Sequence, residues 1–190
     1  LHRLIRRQRQ MCIRDSLETI DIQTIYRVVA GSARAVDVRH FRGYGVHSPF
    51  VYSLVRQVFM RRRIEGPDTS LYTELILRHV SRRRAIQLQN LYTHCGYGSY
   101  CLMENDAVPD LTGVGMCIVL RDCDLERILN VAEKARQSGT TVCILAPRDE
   151  RTRSRQCRRL VAEHPGTSVD NRGYLLLFNH KYLPKQHLVL

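Results

Sequence analysis

From Ser48 onward the apolar residues fall into two rhythms. Phe50, Val51, Leu54, Val55, Val58 and Phe59 follow the i, i+1, i+4, i+5, i+8, i+9 spacing of one wide helical stripe. Ser48 carries N-cap chemistry and Pro49 suits the first helical position, so the spacing predicts a helix from Ser48 to the arginines Arg61, Arg62 and Arg63. Gly66 and Pro67 break the chain and Asp68 can cap. Leu71, Tyr72, Leu75, Ile76, His79 and Val80 then predict a second amphipathic helix. Upstream, Ile22, Ile25, Val28 and Val29 predict a helix between Leu17 and about Val38, leading into a turn at Gly43 and Gly45.

Beyond Arg82, Arg83 and Arg84 the rhythm shortens. Ala85 to Gln89 alternates as a short strand, and Ser99 to Met103 is expected to be a helix, which puts the first strand-to-helix turn at His94, Cys95, Gly96, Tyr97 and Gly98. Gly115 to Leu120 and Thr140 to Ala146 are continuous apolar runs, the signature of strands covered on both faces. Between them Asp122 or Asp124 caps a helix with Leu125, Ile128, Leu129, Ala132 and Ala135 inward, and Gly139 stops it. This strand, helix, strand unit has the length of a right-handed parallel crossover. An arginine-rich helix with Cys157, Leu160 and Val161 inward follows Pro147 and ends near His164 and Pro165. Ser168 to Asn171, Tyr174 to Phe178 and Gln186 to Leu190 close the chain as strands, the first two joined at Arg172 and Gly173. The pattern is α/β.

Composition changes this picture at one end. Arg6 to Ser16, RRQRQMCIRDS, matches residue for residue the translation of a transposase adapter used in sequencing libraries. Residues 1–16 are therefore set aside, with the expectation that the natural N-terminus is missing or displaced. Doing so removes five arginines and one aspartate and lowers the formal charge from +12 to +8. The chain remains basic, which favours a polyanionic partner such as nucleic acid or simply serves solubility. The 174 residues left, in a chain 44% hydrophobic, suit one domain. We divide it into a helical segment, 17–82, and a core, 83–190. No apolar run approaches the roughly 18 residues of a membrane span. A cytoplasmic protein with no membrane partner is expected. Cys95, Cys101, Cys117, Cys123, Cys143 and Cys157 contain no C-x-x-C pair and no zinc-finger spacing with His, and are expected to be reduced, buried thiols.

The string GYGVHSPFVYSL, Gly43 to Leu54, resembles the N-terminal signature of a bacterial family of class I S-adenosylmethionine-dependent methyltransferases, in which a G-x-G/H-S-P-F segment precedes a Rossmann-like domain. Glu163 to Leu190 looks like that family's closing segment. The resemblance implies a parallel core finished by antiparallel strands and preceded by N-terminal helices. It also implies S-adenosylmethionine as cofactor. Together with the short middle of the chain, the resemblance implies a truncated Rossmann-like fold.

Its cofactor motifs are eroded. Where the resemblance implies a first strand such as I-L-E-L-G, the matching run is Ala85-Ile86-Gln87-Leu88-Gln89, with Gln87 for the acid and Gln89 for the glycine. Gly96 and Gly98 are the remaining candidates for a cofactor turn. About 25 residues separate Gln89 from Gly115, too few for two further strands and the carboxylate that would meet a ribose; Asp106 and Asp110 are the loop substitutes. Arg121 and Ala146-Pro147 stand where the family has aspartates, so no catalytic residue is transferred. His47 lacks a partner carboxylate, and Tyr92, Tyr97 and Tyr100 suit either base stacking or packing. The expectation is a methyltransferase-like protein that is a non-catalytic scaffold. The alternatives are an active methyltransferase on an unknown acceptor, and a nucleic-acid binder using Arg61 to Arg63, Arg82 to Arg84 and the Arg151 to Arg159 helix.

Overall fold

A computed structural model describes residues 48–104 and 108–190. The expected helix within 17–38, the Gly43 and Gly45 turn, His47 and Asp106 lie outside the described residues.

Helix α1 (Pro49–Leu54) starts as its sequence dictates: the Ser48 hydroxyl accepts the Val51 amide and Pro49 needs no partner. It continues through a wider π-type turn, Val55–Phe59, and buries Val51, Leu54, Val55, Val58 and Phe59. Helix α2 (Ser70–Leu77) follows, its start tied by Asp68, whose carboxylate accepts the Ser70 amide at 2.9 Å. Helix α3 spans Arg82–His94. Strands β1 (Tyr100–Met103) and β2 (Met116–Val119) precede helix α4 (Leu125–Ser138). Strand β3 (Thr141–Leu145), helix α5 (Arg151–Glu163), and strands β4 (Thr167–Asp170), β5 (Tyr174–Phe178) and β6 (Gln186–Val189) complete the chain.

The six strands form one sheet in the order β1-β2-β3-β5-β4-β6. β1, β2 and β3 run parallel, β5 is antiparallel to both β3 and β4, and β6 is parallel to β4. A single strand is thus reversed within a mostly parallel sheet. Every residue of β2, β3 and β5 is buried, and alternate side chains enter different cores. Met116, Ile118, Cys143, Leu145, Tyr174, Leu176 and Phe178 meet α1, α2 and α3 on one face. Cys117, Val119, Val142, Ile144, Leu175 and Leu177 meet α4 and α5 on the other. That two-sided burial is why these strands are continuously apolar in sequence.

Helix α4 has the cap and stop expected: Asp124 accepts the Arg127 amide at 2.9 Å, and Gly139 takes a φ of 80°. Two expectations are corrected. Ala85 to Gln89 is helical, inside α3, and the tract expected as a helix at 99–103 holds strand β1. All residues from Ala85 to Leu91 are buried, so the middle of α3 has no solvent face to give it a helical period. β1 and β2 are joined by residues 104–115, close to the shortest length a parallel crossover takes. Among the described residues no helix is long and apolar enough to cross a membrane.

Candidate functional site

The two candidate cofactor glycines lie in a helix-to-strand turn rather than the strand-to-helix turn expected. Gly96, at φ 64°, ends α3 in a Schellman motif: its amide donates to Thr93 O at 3.1 Å and the Tyr97 amide to Tyr92 O at 3.2 Å. What faces this turn is the C-terminal, partially negative end of α3, which repels an anionic group. A Cβ on either Gly96 or Gly98 would meet no protein atom within 4 Å, so no packed neighbour requires glycine at either position. The helix stop alone accounts for Gly96.

Around this turn the tyrosines pack on one another. Tyr92 meets Tyr100 edge-to-face with centroids 5.4 Å apart, Tyr97 stacks on His180 at 6.2 Å, and His180 on Tyr182 at 5.5 Å. The Tyr97 hydroxyl is 2.7 Å from Thr141 Oγ1, and burial raises its pKa. Tyr100 donates to Glu74 Oε1 at 2.9 Å. His94 Nε2, 3.2 Å from Ser53 Oγ, ties α3 to α1. These contacts are structural. They sit at the N-terminal ends of the parallel strands, whereas open α/β sheets bind ligands at the C-terminal ends.

At that C-terminal edge, β1, β2, β3 and β4 each end on an arginine. Just past β1, Glu104 receives Arg78 Nε at 2.7 Å. Past β2, Arg121 pairs with Asp149 from the loop after β3 at 2.6 Å. At the end of β4, Asp170 receives Arg148 Nη2 at 2.6 Å. Between β2 and β3 the guanidinium of Arg153, 5% exposed, donates to Leu120 O at 3.1 Å, Leu145 O at 3.0 Å and Cys123 O at 2.8 Å. Its Nε is buried without a partner. Arg153 occupies the first turn of α5, where the helix dipole disfavours a cation, and no carboxylate bonds it among the described residues. Two strand-end carbonyls and one from the loop before α4 therefore carry its solvation.

Gln87 and Gln89 are structural as well. Gln87 Nε2 donates to Phe59 O at 2.8 Å, and its Oε1 accepts the Tyr174 hydroxyl at 3.1 Å and Asn171 Nδ2 at 3.4 Å. Gln89 Oε1 accepts the Tyr72 amide at 2.9 Å. Asn90, one residue on, donates to Arg63 O and accepts the Glu65 amide, both at 2.9 Å. These amides satisfy backbone groups at the end of the π-type turn, in the loop that follows it and in the first turn of α2. Asp110 caps its own turn through Thr112, which holds its carboxyl below the usual range. Sequence reasoning missed Glu104, Arg78, Arg148 and Asp170 here, and counted Arg153 among the phosphate-contacting arginines of its helix, whereas it is buried. Glu104 follows β1 directly, and Arg153 falls at i, i+4, i+7 with the buried Cys157 and Leu160, a spacing that marks an inward arginine.

No protein-family model matches the chain, no curated protein matches it, and no solved structure matches it.

His164, His180 and His187 all have their pKa values lowered by burial. His164 Nε2 donates to Phe178 O at 3.1 Å in its neutral form. A histidine depressed in the fold binds its proton more readily when unfolded, so its contribution to stability is full above the unfolded value of about 6.5 and declines as pH falls below it. Urea unfolding midpoints are expected to be lower at pH 5.5 than at pH 7.5, with a smaller drop in His164→Gln.

Proposed function

We propose that this chain is a methyltransferase-like scaffold without catalysis, an interaction module built on a Rossmann-like sheet whose cofactor end is closed by its own arginines. The observation that carries this reading is the C-terminal edge, where Glu104, Leu120, Leu145 and Asp170 each bond an arginine of the same chain. A ligand entering there competes with contacts already made. The parallel run β1-β2-β3 followed by the reversed β5 supports the resemblance carried by GYGVHSPFVYSL and the closing segment. Arg121 in ion pair with Asp149 supports the loss of chemistry, because the acid near the end of β2 is neutralised. The test is thermal unfolding with and without millimolar S-adenosylmethionine. A ligand present at 100 times its Kd stabilises a fold by about 2.7 kcal/mol, several degrees for a chain of this size. We expect no shift; a saturable rise supports the active enzyme.

A second reading has its own observation. Arg84 packs against Gly173 in the β4–β5 turn, which brings the start of α3 beside Arg172 on the edge that also holds Arg148. Arg82, Arg83, Arg84 and Arg172 form no ion pair with any described residue. This favours a polyanion such as nucleic acid at that edge. Each phosphate contact would add about 0.7 to 0.9 to the log-log slope of affinity against salt, and a flat response would remove the reading.

A further inference from the structure

Cys101 and Cys117 are directly opposite one another in the parallel register of β1 and β2. Register partners in a parallel pair project to the same face, and both side chains belong to the core beneath α4 and α5. Neighbouring strands run about 4.8 Å apart, inside the roughly 4.4–6.8 Å Cα separation that a disulfide spans. The two partners differ in access: Cys101 is half-buried on β1, the outer strand among the described residues, while Cys117 is fully buried.

We propose that Cys101 and Cys117 are a peroxide-reactive dithiol, with Cys101 the attacking thiol and Cys117 the resolving one. A hydrogen bond from the Cys117 thiol lowers the Cys101 pKa, and the same bond together with burial raises that of Cys117. The thiolate is the reactive form, so the accessible partner is also the activated one. The Cys101 sulfur attacks a hydroperoxide oxygen, the O–O bond breaks, and the leaving hydroxide or alkoxide takes a proton, giving a sulfenic acid. The Cys117 sulfur then displaces the sulfenic oxygen, which leaves as water with the Cys117 proton. The two thiols lose two electrons, and the hydroperoxide gains them. Cys95, the other half-buried thiol, has its pKa pushed up to about 11 by burial and has no opposing cysteine in a strand register, so it is the internal control.

The experiment treats the full chain with a small excess of hydrogen peroxide, blocks free thiols with N-ethylmaleimide, and digests with a protease that cuts after glutamate. Cleavage after Glu104 separates the two cysteines, so a disulfide appears as a cross-linked peptide pair. The expected result is that pair, lost on reduction, with Cys95 still alkylated. In Cys117→Ser the sulfenic acid on Cys101 should persist and react with dimedone. Three results would overturn the proposal: Cys95 oxidised before Cys101, Cys101 over-oxidised or capped without a cross-link in the unaltered chain, or both thiols still alkylated after peroxide. The peptide mapping uses the unaltered protein and holds even if the serine variant fails to fold.

Discussion

Arg153→Met is expected to lower the unfolding free energy by about 3–5 kcal/mol, measured by urea denaturation at pH 7. The guanidinium bonds the carbonyls of Leu120, Leu145 and Cys123, and methionine of similar length fills the space while offering no donor. Each buried carbonyl left unsatisfied costs about 1–3 kcal/mol, and relaxation toward water recovers a fraction of the sum. A change of this size is a large share of the roughly 5–15 kcal/mol that holds a domain folded. Arg153→Lys should recover only a minority of the loss, because one ammonium cannot reach three carbonyls fixed by the planar fork. A loss below about 1 kcal/mol would mean that these strand ends are solvated without Arg153. The closed-edge reading would then lose its main support.

Gln87→Glu restores the acid that the methyltransferase resemblance implies, and the structure gives it the opposite of a rescue. The side chain is 5% exposed in α3, its Nε2 donates to Phe59 O, and its Oε1 accepts Tyr174 OH and Asn171 Nδ2. A carboxylate keeps the acceptor role but turns oxygen toward oxygen at Phe59 and buries a charge. The expected cost at pH 7 is about 3 kcal/mol. Burial would raise the folded pKa of this new glutamate, so the folded state would hold its proton more tightly than the unfolded one. The variant's deficit should therefore shrink as pH falls toward 5, read as converging urea midpoints of variant and parent. A variant as stable as the parent at pH 7, with a deficit independent of pH, would place position 87 at a solvated site instead of this buried junction.

Both residues also mark where the sequence could and could not be read. Elements with one solvent face were legible: α1, α4 and α5 carry a helical stripe opposed by polar residues, and Ser48, Asp124 and Gly139 punctuate them in the way their chemistry requires. β2, β3 and β5 were legible for the opposite reason, since burial on both faces leaves a short, unbroken apolar run. Helix α3 failed both tests. Its middle is buried all round, and its polar positions Gln87, Gln89 and Asn90 are inside because they bond loop backbone, so Ile86-Gln87-Leu88-Gln89 reads as the alternation of a strand. One misread helix shifted the next element, and β1 was taken for the helix that should follow a strand. The glycines 96 and 98 inherited that error. In a strand-to-helix turn they would have faced helix amides; in the observed Schellman turn Gly96 lies at the carbonyl end of α3.

The site was less legible than the fold because its closing contacts join residues far apart in the chain. Arg121 with Asp149, Arg148 with Asp170, and Arg153 with Leu120 are separated by 28, 22 and 33 positions. Arg121 and Arg148 are exposed like the arginines around them, and nothing local marks them; only Arg153 carries a local sign, its spacing with Cys157 and Leu160. The departures at Arg121 and Ala146 from the pattern the resemblance implies were readable, but the contacts these positions make were not.

Isothermal titration calorimetry of the full chain with S-adenosylmethionine, and separately with S-adenosylhomocysteine, tests the central claim most directly. A sheet whose ligand end is held shut by Arg78, Arg121, Arg148 and Arg153 should give no saturable heat with either compound at millimolar concentration. Stoichiometric binding of one molecule per chain, at micromolar Kd, would contradict the account and favour the alternative of an active methyltransferase.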